Sequence, residues 1–358
     1  MSDKKIQKHC VIMAGGSGTR FWPLSRKDNP KQLLCLNGDT TLIEQAVTRA
    51  NNISDEDNIH VVSSLITKKR TKLALKKFKR INFIFEPKGR NTAPCIGYMA
   101  FKLCSLYGPD TVMIVLPSDH AIKDNSGFKK TINAAIKLCH KTHSLVTIGI
   151  KPTNPHTGYG YIEKGKLLRT NDGLKIYKVA SFKEKPDLKT SVKFLRNGSY
   201  MWNAGIFIVR VDEMIKALKA NMPKLYNDLN KLSKSFGTKN EQKIFKHLFP
   251  KLDAQSIDYG VIEKMKNVTT IPASFDWNDL GSWSSIKTKK DNAKQIAVTS
   301  SNNSIFSSCN KKLISTIDVK DLIIIDTPDA LLISKKESDQ KVKDVVVKIK
   351  ELGWDEYL

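Results

Sequence analysis

No stretch of the 358 residues approaches the ~20 consecutive apolar positions that cross a bilayer, so no membrane span is expected. The opening "MSDKKIQKHCVIMAGG" has a short apolar run without a cleavage-like site, and no signal peptide is expected either. Cysteine is scarce: six residues (10, 35, 95, 104, 139 and 309) stand scattered, with no CxxC pair and four of them inside apolar runs. That usage argues against a disulfide framework or a zinc site and for reduced thiols in a cytoplasmic protein. Acidic residues are few, 35 against 60 basic ones, leaving a formal charge of +25. Arginine is scarce too, with nine among those 60. Base readout and phosphate forks lean on arginine, whereas here lysine is spread through every segment. No nucleic-acid partner is therefore expected. The lysines read as a solvated surface whose positive field still draws small polyanions toward a cleft.

What is present is ordinary in bulk. Hydrophobic residues make up 40% and charged residues 27% of a chain long enough for one large domain, or a large and a small one. The first 150 residues alternate apolar runs ("CVIMAG", "NIHVVSS", "INFIFEP", "TVMIVLPSD", "SLVTIGI") with helical patterns such as "TTLIEQAVTRAN" and "LITKKRTKLALKKFK". Continuous rather than alternating hydrophobicity predicts strands buried on both faces, hence a mostly parallel, Rossmann-like α/β sheet flanked by helices. Residues 156–211 predict a smaller, partly antiparallel lobe, and helices follow to about residue 265. From about 295 to 335 short β-rich segments recur and predict a solenoid-like tail, closed by the amphipathic helix "QKVKDVVVKIKEL". Two units are expected, 1–289 and 290–358.

In an open parallel sheet, ligands gather outside the carboxyl ends of the strands. "AGGSGTR", "EP" and "LPSD" all fall at such ends, so they should meet in space. Gly15, Gly16 and Gly18 let backbone N–H groups approach a phosphate with no Cβ in the way. The loop lacks the Gly-Lys-Ser/Thr of a Walker A motif. It is a poor dinucleotide fingerprint as well: Phe21 stands where the third glycine belongs, and "VVSS" ends without the acidic residue. A plain strand-to-helix turn, however, would not need Thr19 and Arg20 behind the glycines, nor Pro30-Lys31-Gln32 beyond.

"AGGSGTRFWPLSR...PKQ" resembles the signature of the sugar-nucleotide pyrophosphorylases, and its Phe-Trp-Pro-Leu-Ser form resembles the mannose-1-phosphate guanylyltransferase branch. The likeness continues in order through "FEPKGRNTAPCIG", "VLPSDHAI", "PHTGYGYI", "FKEKPD", "YMWNAGIF", "SIDYGVIEK" and "FDWNDLGSW" and covers nearly the whole chain. It implies a nucleotide-diphospho-sugar transferase fold, with the antiparallel lobe binding sugar. It also implies nucleotidyl transfer from GTP to mannose 1-phosphate with release of pyrophosphate. The attacking oxygen is already anionic, so the protein must align two repelling anions and neutralise the leaving group.

On that resemblance Arg20, Lys31 and Lys185 are the expected catalytic cations. Gly15, Gly16, Gly18, Thr19, Arg20, Lys31, Asn91, Thr92 and Ser118 are expected on the nucleotide side, although an Asn or Thr at a helix start is more often a cap. Gly158, Glu184, Lys185, Asn203 and Asp258 are expected around the sugar phosphate, with a helix N-cap as an equal reading of Asp258. Asp119 and Asp279 match the family's two metal-binding aspartates, for Mg²⁺ or another divalent cation, with Asp276 as a competing loop acid. Packing roles are expected for His120 and Trp202; Tyr159 is left between packing and a sugar contact. Longer relatives append an isomerase domain, so a chain ending at Leu358 is expected to be monofunctional. Alternatives are another base or hexose, or a non-catalytic regulatory subunit binding nucleotide sugars. Oligomeric state is open, with a homodimer as one option.

Overall fold

The computed structural model describes residues 6–16, 18–36, 38–286, 294–308 and 312–358. Ser17, Cys309 and the expected boundary at 289/290 lie outside the described residues. Nine strands form one sheet: β1 (Lys8–Ala14), β2 (Ile59–Ser64), β3 (Asn82–Glu86), β4 (Val112–Pro117), β5 (Leu145–Ile150), β6 (Tyr161–Asn171), β7 (Leu174–Lys183), β8 (Tyr200–Arg210) and β9 (Val268–Pro272). Their order is β3-β2-β1-β4-β8-β5-β9-β7-β6, with β6 also bonded to β8. β1, β2, β3 and β4 pair in parallel, as do β5 and β9. Strands β7 and β8 run against their neighbours. The sheet is mostly parallel, as the continuous apolar runs predict, and β1, β2, β4 and β5 are buried almost end to end. The antiparallel lobe is not a detached layer. Its strand β8 is inserted between β4 and β5, and β7 and β6 extend the sheet beyond β9.

Helices cover both faces, since neither face can be left in water. One face packs Cys10, Ile12, Val61, Ile114 and Ile206 under α1 (Leu42–Asn51) and α4 (Asn125–Thr142). The other packs Val11, Val62, Val115 and Phe207 under α3 (Thr92–Tyr107), α6 (Val211–Asn221) and α7 (Pro223–Ser233). Neighbouring residues on β1 thus serve opposite cores. Truncating fully buried Ile12 to Ala would cost about 2–5 kcal/mol through lost burial and the cavity left behind. Helix starts follow local chemistry: Thr41 accepts from Glu44 N, Asp124 from Gly127 N, and Asp187 from Thr190 N at the head of α5 (Leu188–Asn197). The helix predicted over 65–79 shrinks to α2 (Lys68–Ala74). That segment carries seven basic residues and no acid, so no opposite charge stands one turn away to support it.

Short helices α8 (Glu241–Leu248) and α9 (Ile257–Gly260) complete the second layer. The tail forms β10 (Lys294–Val298), β11 (Ser304–Ser307), β12 (Leu313–Ile317), β13 (Leu322–Asp326), β14 (Leu331–Lys335) and α10 (Val342–Glu351). Parallel pairs β10–β12 and β11–β13 join Lys294 to Leu313 and Ser304 to Ile323, a constant step of 19 residues. That is one stacked coil of a solenoid, closed by antiparallel β14. A third core joins it to the first motif: Phe21, Trp22, Leu280 and Trp283 pack with Ile323, Ile325, Val342 and Val346.

Candidate active site

At the end of β1 the chain turns through Gly15, Gly16 and Gly18, where Gly16 and Gly18 take φ of 96° and 59°. A Cβ on Gly18 would strike the Lys31 Cβ and lie 2.9 Å from the Lys31 backbone N, so the glycine is required by conformation and by space. Gly15 and Gly16 face open space. Only a single 3₁₀ turn, Thr19–Phe21, follows the loop, and Pro23 has no N–H to extend it. Positive potential at this loop comes from side chains and loop amides more than from a helix dipole. Gln32, for which the sequence alone suggests no role, donates to Ala14 O (2.8 Å) and fastens the loop to the end of β1.

Two cavities open at this edge. The first, about 260 Å³, is lined by Gly18, Thr19, Arg20, Lys31, Asp119, His120 and Asp279. Arg20 is exposed and anchored by Gly281 O (2.9 Å). Lys31 is buried, its ammonium donating to Asp119 Oδ2 (2.7 Å) and Asp279 O (2.5 Å). Burial alone would raise the Asp119 carboxyl, but the Lys31 ammonium, His120 and hydrogen bonds outweigh it, and the net displacement is downward. Burial pushes His120 down to about 4 against the pull of Asp119, and its Nδ1 accepts from Trp277 Nε1 (3.1 Å). His120 packs edge-on against Trp277 and also lines both cavities.

The second cavity, about 230 Å³, shares His120 and Asp279 with the first. Gly158, Glu184, Lys185, Asn203 and Asp258 all line it. Lys185 adopts φ of 45°, a strained conformation for a side chain with a Cβ, and its ammonium pairs with buried Glu184. Burial and nearby Asp258 raise the Glu184 carboxyl, offset in part by Lys185. Burial raises Asp258 as well, opposed by Ser256, Lys185 and Asn203. The Asn203 amide is occupied: Oδ1 accepts from Thr147 Oγ1 (3.1 Å) and Gly205 N (3.1 Å), and Nδ2 donates to Asp258 (3.1 Å). It therefore holds the acid in place.

Placement differs from expectation for some residues. Thr92 lines the second cavity, and its hydroxyl accepts from Ile257 N (2.8 Å). Asn91, at φ of 66°, caps α3 by accepting from Thr92 N (2.8 Å). Ser118 is buried, its N–H on Met13 O (3.2 Å), and lines neither cavity. Asp276 accepts two loop amides, Lys123 N (2.9 Å) and Asp124 N (2.8 Å), and lines neither cavity, whereas Asp279 faces both. Tyr159 contributes more than packing. Its hydroxyl donates to Asp279 Oδ1 (2.5 Å), and its ring stacks on His156 at 3.8 Å. Trp202 is buried edge-on to Tyr159.

The model of the nucleotidyl transferase family matches residues 9–296. The chain belongs to that family. Residues 293–349 match a second model, the MannoseP isomerase/GMP-like beta-helix domain, over the stacked coil. A mannose-1-phosphate guanylyltransferase of Salmonella montevideo is 39% identical over 282 residues, 77% of this chain and 58% of that protein. Another, of Salmonella muenchen, is 36% identical over 361 residues, 97% of this chain and 74% of that one. The chain thus spans little more than half the length of the first of these relatives. Its fold is that of a Thermus thermophilus crystal structure described as mannose-1-phosphate geranyltransferase. That match has a TM-score of 0.83 at 24% identity and covers 96% of this chain and all of the other. Among the described residues no helix is long and apolar enough to cross a membrane.

Proposed function

We propose that this transferase moves a guanylyl group from GTP to α-D-mannose 1-phosphate, giving GDP-mannose and pyrophosphate. The observation that carries this reading is the pair of cation-bearing cavities meeting at Asp279, one beside Arg20 and Lys31 and the other beside Lys185. A phosphate oxygen of the sugar attacks the α-phosphorus in line. The bond to that oxygen forms as the bond to the β-phosphate oxygen breaks, and pyrophosphate leaves with its electron pair. No proton need be removed from the nucleophile. The work is alignment and charge neutralisation in a site where donors are already fixed. Arg20, Lys31 and the N–H groups of Gly15, Gly16 and Gly18 hold the triphosphate, with Thr19 beside them. Lys185 exchanges Glu184 for the incoming sugar phosphate. Glu184 and Asp258 accept from sugar hydroxyls, and Asn203 keeps Asp258 oriented. Asn91 and Thr92 order the start of α3 beside the bound substrates, and Ser118 holds the end of β4 against β1.

Asp119 and Asp279 offer hard oxygen donors on one cavity, and the Lys31 ammonium already bridges them through a carboxylate and a carbonyl. A divalent cation such as Mg²⁺ fits that donor set. Among the described residues no cluster of three or more protein ligands exists, so phosphate oxygens and water would complete its shell. When bound it supplies positive charge to the phosphates. The five described cysteines are free, which supports a cytoplasmic setting. The deciding assay is pyrophosphate release with each of four nucleoside triphosphates against a panel of hexose 1-phosphates, with and without chelator. GTP with mannose 1-phosphate is expected to turn over fastest and to need the metal; a preference for UTP, dTTP or ATP, or no turnover with any pair, refutes the reading.

A further inference from the structure

The loop beside the first cavity is tied to the tail as well as to the sheet. Arg26, six residues beyond Arg20, has a side chain only 14% exposed and spends its guanidinium on three segments. Its Nε donates to Pro23 O (2.7 Å), Nη1 to Tyr357 O (2.5 Å), and Nη2 to both Asp329 oxygens (2.9 and 3.0 Å). Trp22 Nε1 donates to the same Tyr357 carbonyl (2.8 Å). One residue before Arg26, the Ser25 hydroxyl reaches back to Gly18 O (2.8 Å), which also accepts Phe21 N–H (2.9 Å). A continuous run of bonds therefore leads from Asp329 and Tyr357, through residues 22–26, to the glycine that packs on Lys31. Beside it lies a cavity of about 340 Å³, lined by Trp22, Arg26 and Lys27 of the loop and by Val346 and Lys350 of α10. The hydrogen bonds therefore run alongside the core that Trp22 shares with α10.

An isolated surface ion pair contributes little to stability. Here one nitrogen of a largely buried guanidinium serves both carboxylate oxygens while the other two serve carbonyls, a charge-assisted set that ties three segments together. We propose that Arg26 is a positioning residue for the nucleotide side, through which the tail segment around Asp329 and Tyr357 sets the loop of Gly18–Arg20. The proposal rests on reading that loop as the triphosphate site. A displacement of about 1 Å at a reacting group can cost on the order of 10²-fold in rate, so a loose loop would be felt without any loss of a contacting residue.

The test uses the full chain with Arg26→Met, Arg26→Lys, Asp329→Ala and the Arg26→Met/Asp329→Ala double variant. GTP binding is measured without sugar phosphate, and steady-state kinetics with each substrate varied in turn. Arg26→Met is expected to weaken GTP about tenfold and to lower kcat, while KM for mannose 1-phosphate stays within about twofold. Asp329, half exposed, can be truncated without opening the core, and Asp329→Ala should act in the same direction but more weakly. The double variant should be no worse than Arg26→Met, since both changes break one connection. Lysine reaches one acceptor but not all three, so Arg26→Lys should recover only part of the loss. Equal effects on both substrates, additive losses, or a lowered melting temperature with GTP binding intact would overturn the proposal. Arg20→Ala separates the two levels. If it abolishes GTP use while Arg26→Met does not weaken GTP, only the brace fails; if it leaves GTP use intact, the nucleotide-site reading fails and the brace with it.

Discussion

Lys31→Met removes one charge and leaves nearly everything else. The Lys31 stem packs against Gly18, and methionine has a stem of similar length that fills irregular space readily. Its ammonium lies 2.7 Å from Asp119 Oδ2 and 2.5 Å from Asp279 O, on a side chain only 9% exposed. A charge so shielded acts more strongly on a neighbouring phosphate than one in water. Losing one such stabilising donor costs on the order of 10²–10³ in kcat, about 2.7–4 kcal/mol of transition-state stabilisation. The structural cost should be smaller. Asp119 keeps 36% of its side chain in solvent, so it can rehydrate, and the lost pair should cost about 1 kcal/mol or less. For 358 residues that corresponds to a melting shift of at most about 1–2 °C. Pyrophosphate release and a thermal melt on the same preparation decide it. A kcat within about threefold of wild type, less than 1 kcal/mol, would refute the placement of Lys31 at the transferring phosphates.

Arg20→Ala should lower kcat by on the order of 10²–10³, whereas Lys185→Ala should raise KM for mannose 1-phosphate more than KM for GTP; weakening of GTP alone by Lys185→Ala would show the two cavities to be misassigned. Asp279→Asn should sharply reduce both turnover and Mn²⁺ binding in the presence of GTP, while Asp276→Asn, which touches only loop amides, should cost about 1 kcal/mol of stability and little activity. The reverse pattern in kinetics and melts would exchange their roles. Far from the site, burial holds His9 at about 4, and burial with His9 and Lys102 nearby holds His60 at about 3. Unfolded imidazoles titrate near 6.5, so the unfolded chain binds more protons below that pH. Stability should be whole above pH 6.5 and fall as pH drops toward 4, by up to about 4 kcal/mol at pH 5 for the pair. Urea melts at pH 7 and 5 should show a shallower loss in His9→Gln/His60→Gln, and an unchanged slope would remove the pair from the account.

Much of this was legible because the signals are local. Buried parallel strands need unbroken apolar runs, so β1, β2, β4 and β5 could be read directly, and bare glycines at a strand end read as a loop open to a ligand. Partnerships made across the chain could not be read. Nothing in "MWNAGIFIVR" says that β8 pairs with both β4 and β5, because pairing is decided by which edges remain open after folding. The roles of Tyr159, Gln32 and Arg26 were hidden for the same reason, since each acts on a residue at least 16 positions away: Asp279, the loop carbonyls and Tyr357. Asp276 and Asp279 look alike as letters. Only the loop amides that claim Asp276 tell them apart.

The insertion of β8 has a consequence for how the chain is made. When a ribosome has released residue 150, the strand Leu145–Ile150 is complete but has no neighbour, because both strands that flank it, Tyr200–Arg210 and Val268–Pro272, are still unsynthesised. At roughly 5–20 residues per second the first arrives seconds later and the second later still. Until then an apolar strand with two open edges must be kept from pairing with other chains, the kind of exposure that leads to aggregation. One edge of β4 and both edges of β5 therefore stay unpaired until the later half of the chain exists. A chain truncated near residue 150 should be recovered as aggregate, whereas one ending after residue 286 has every strand of the large sheet.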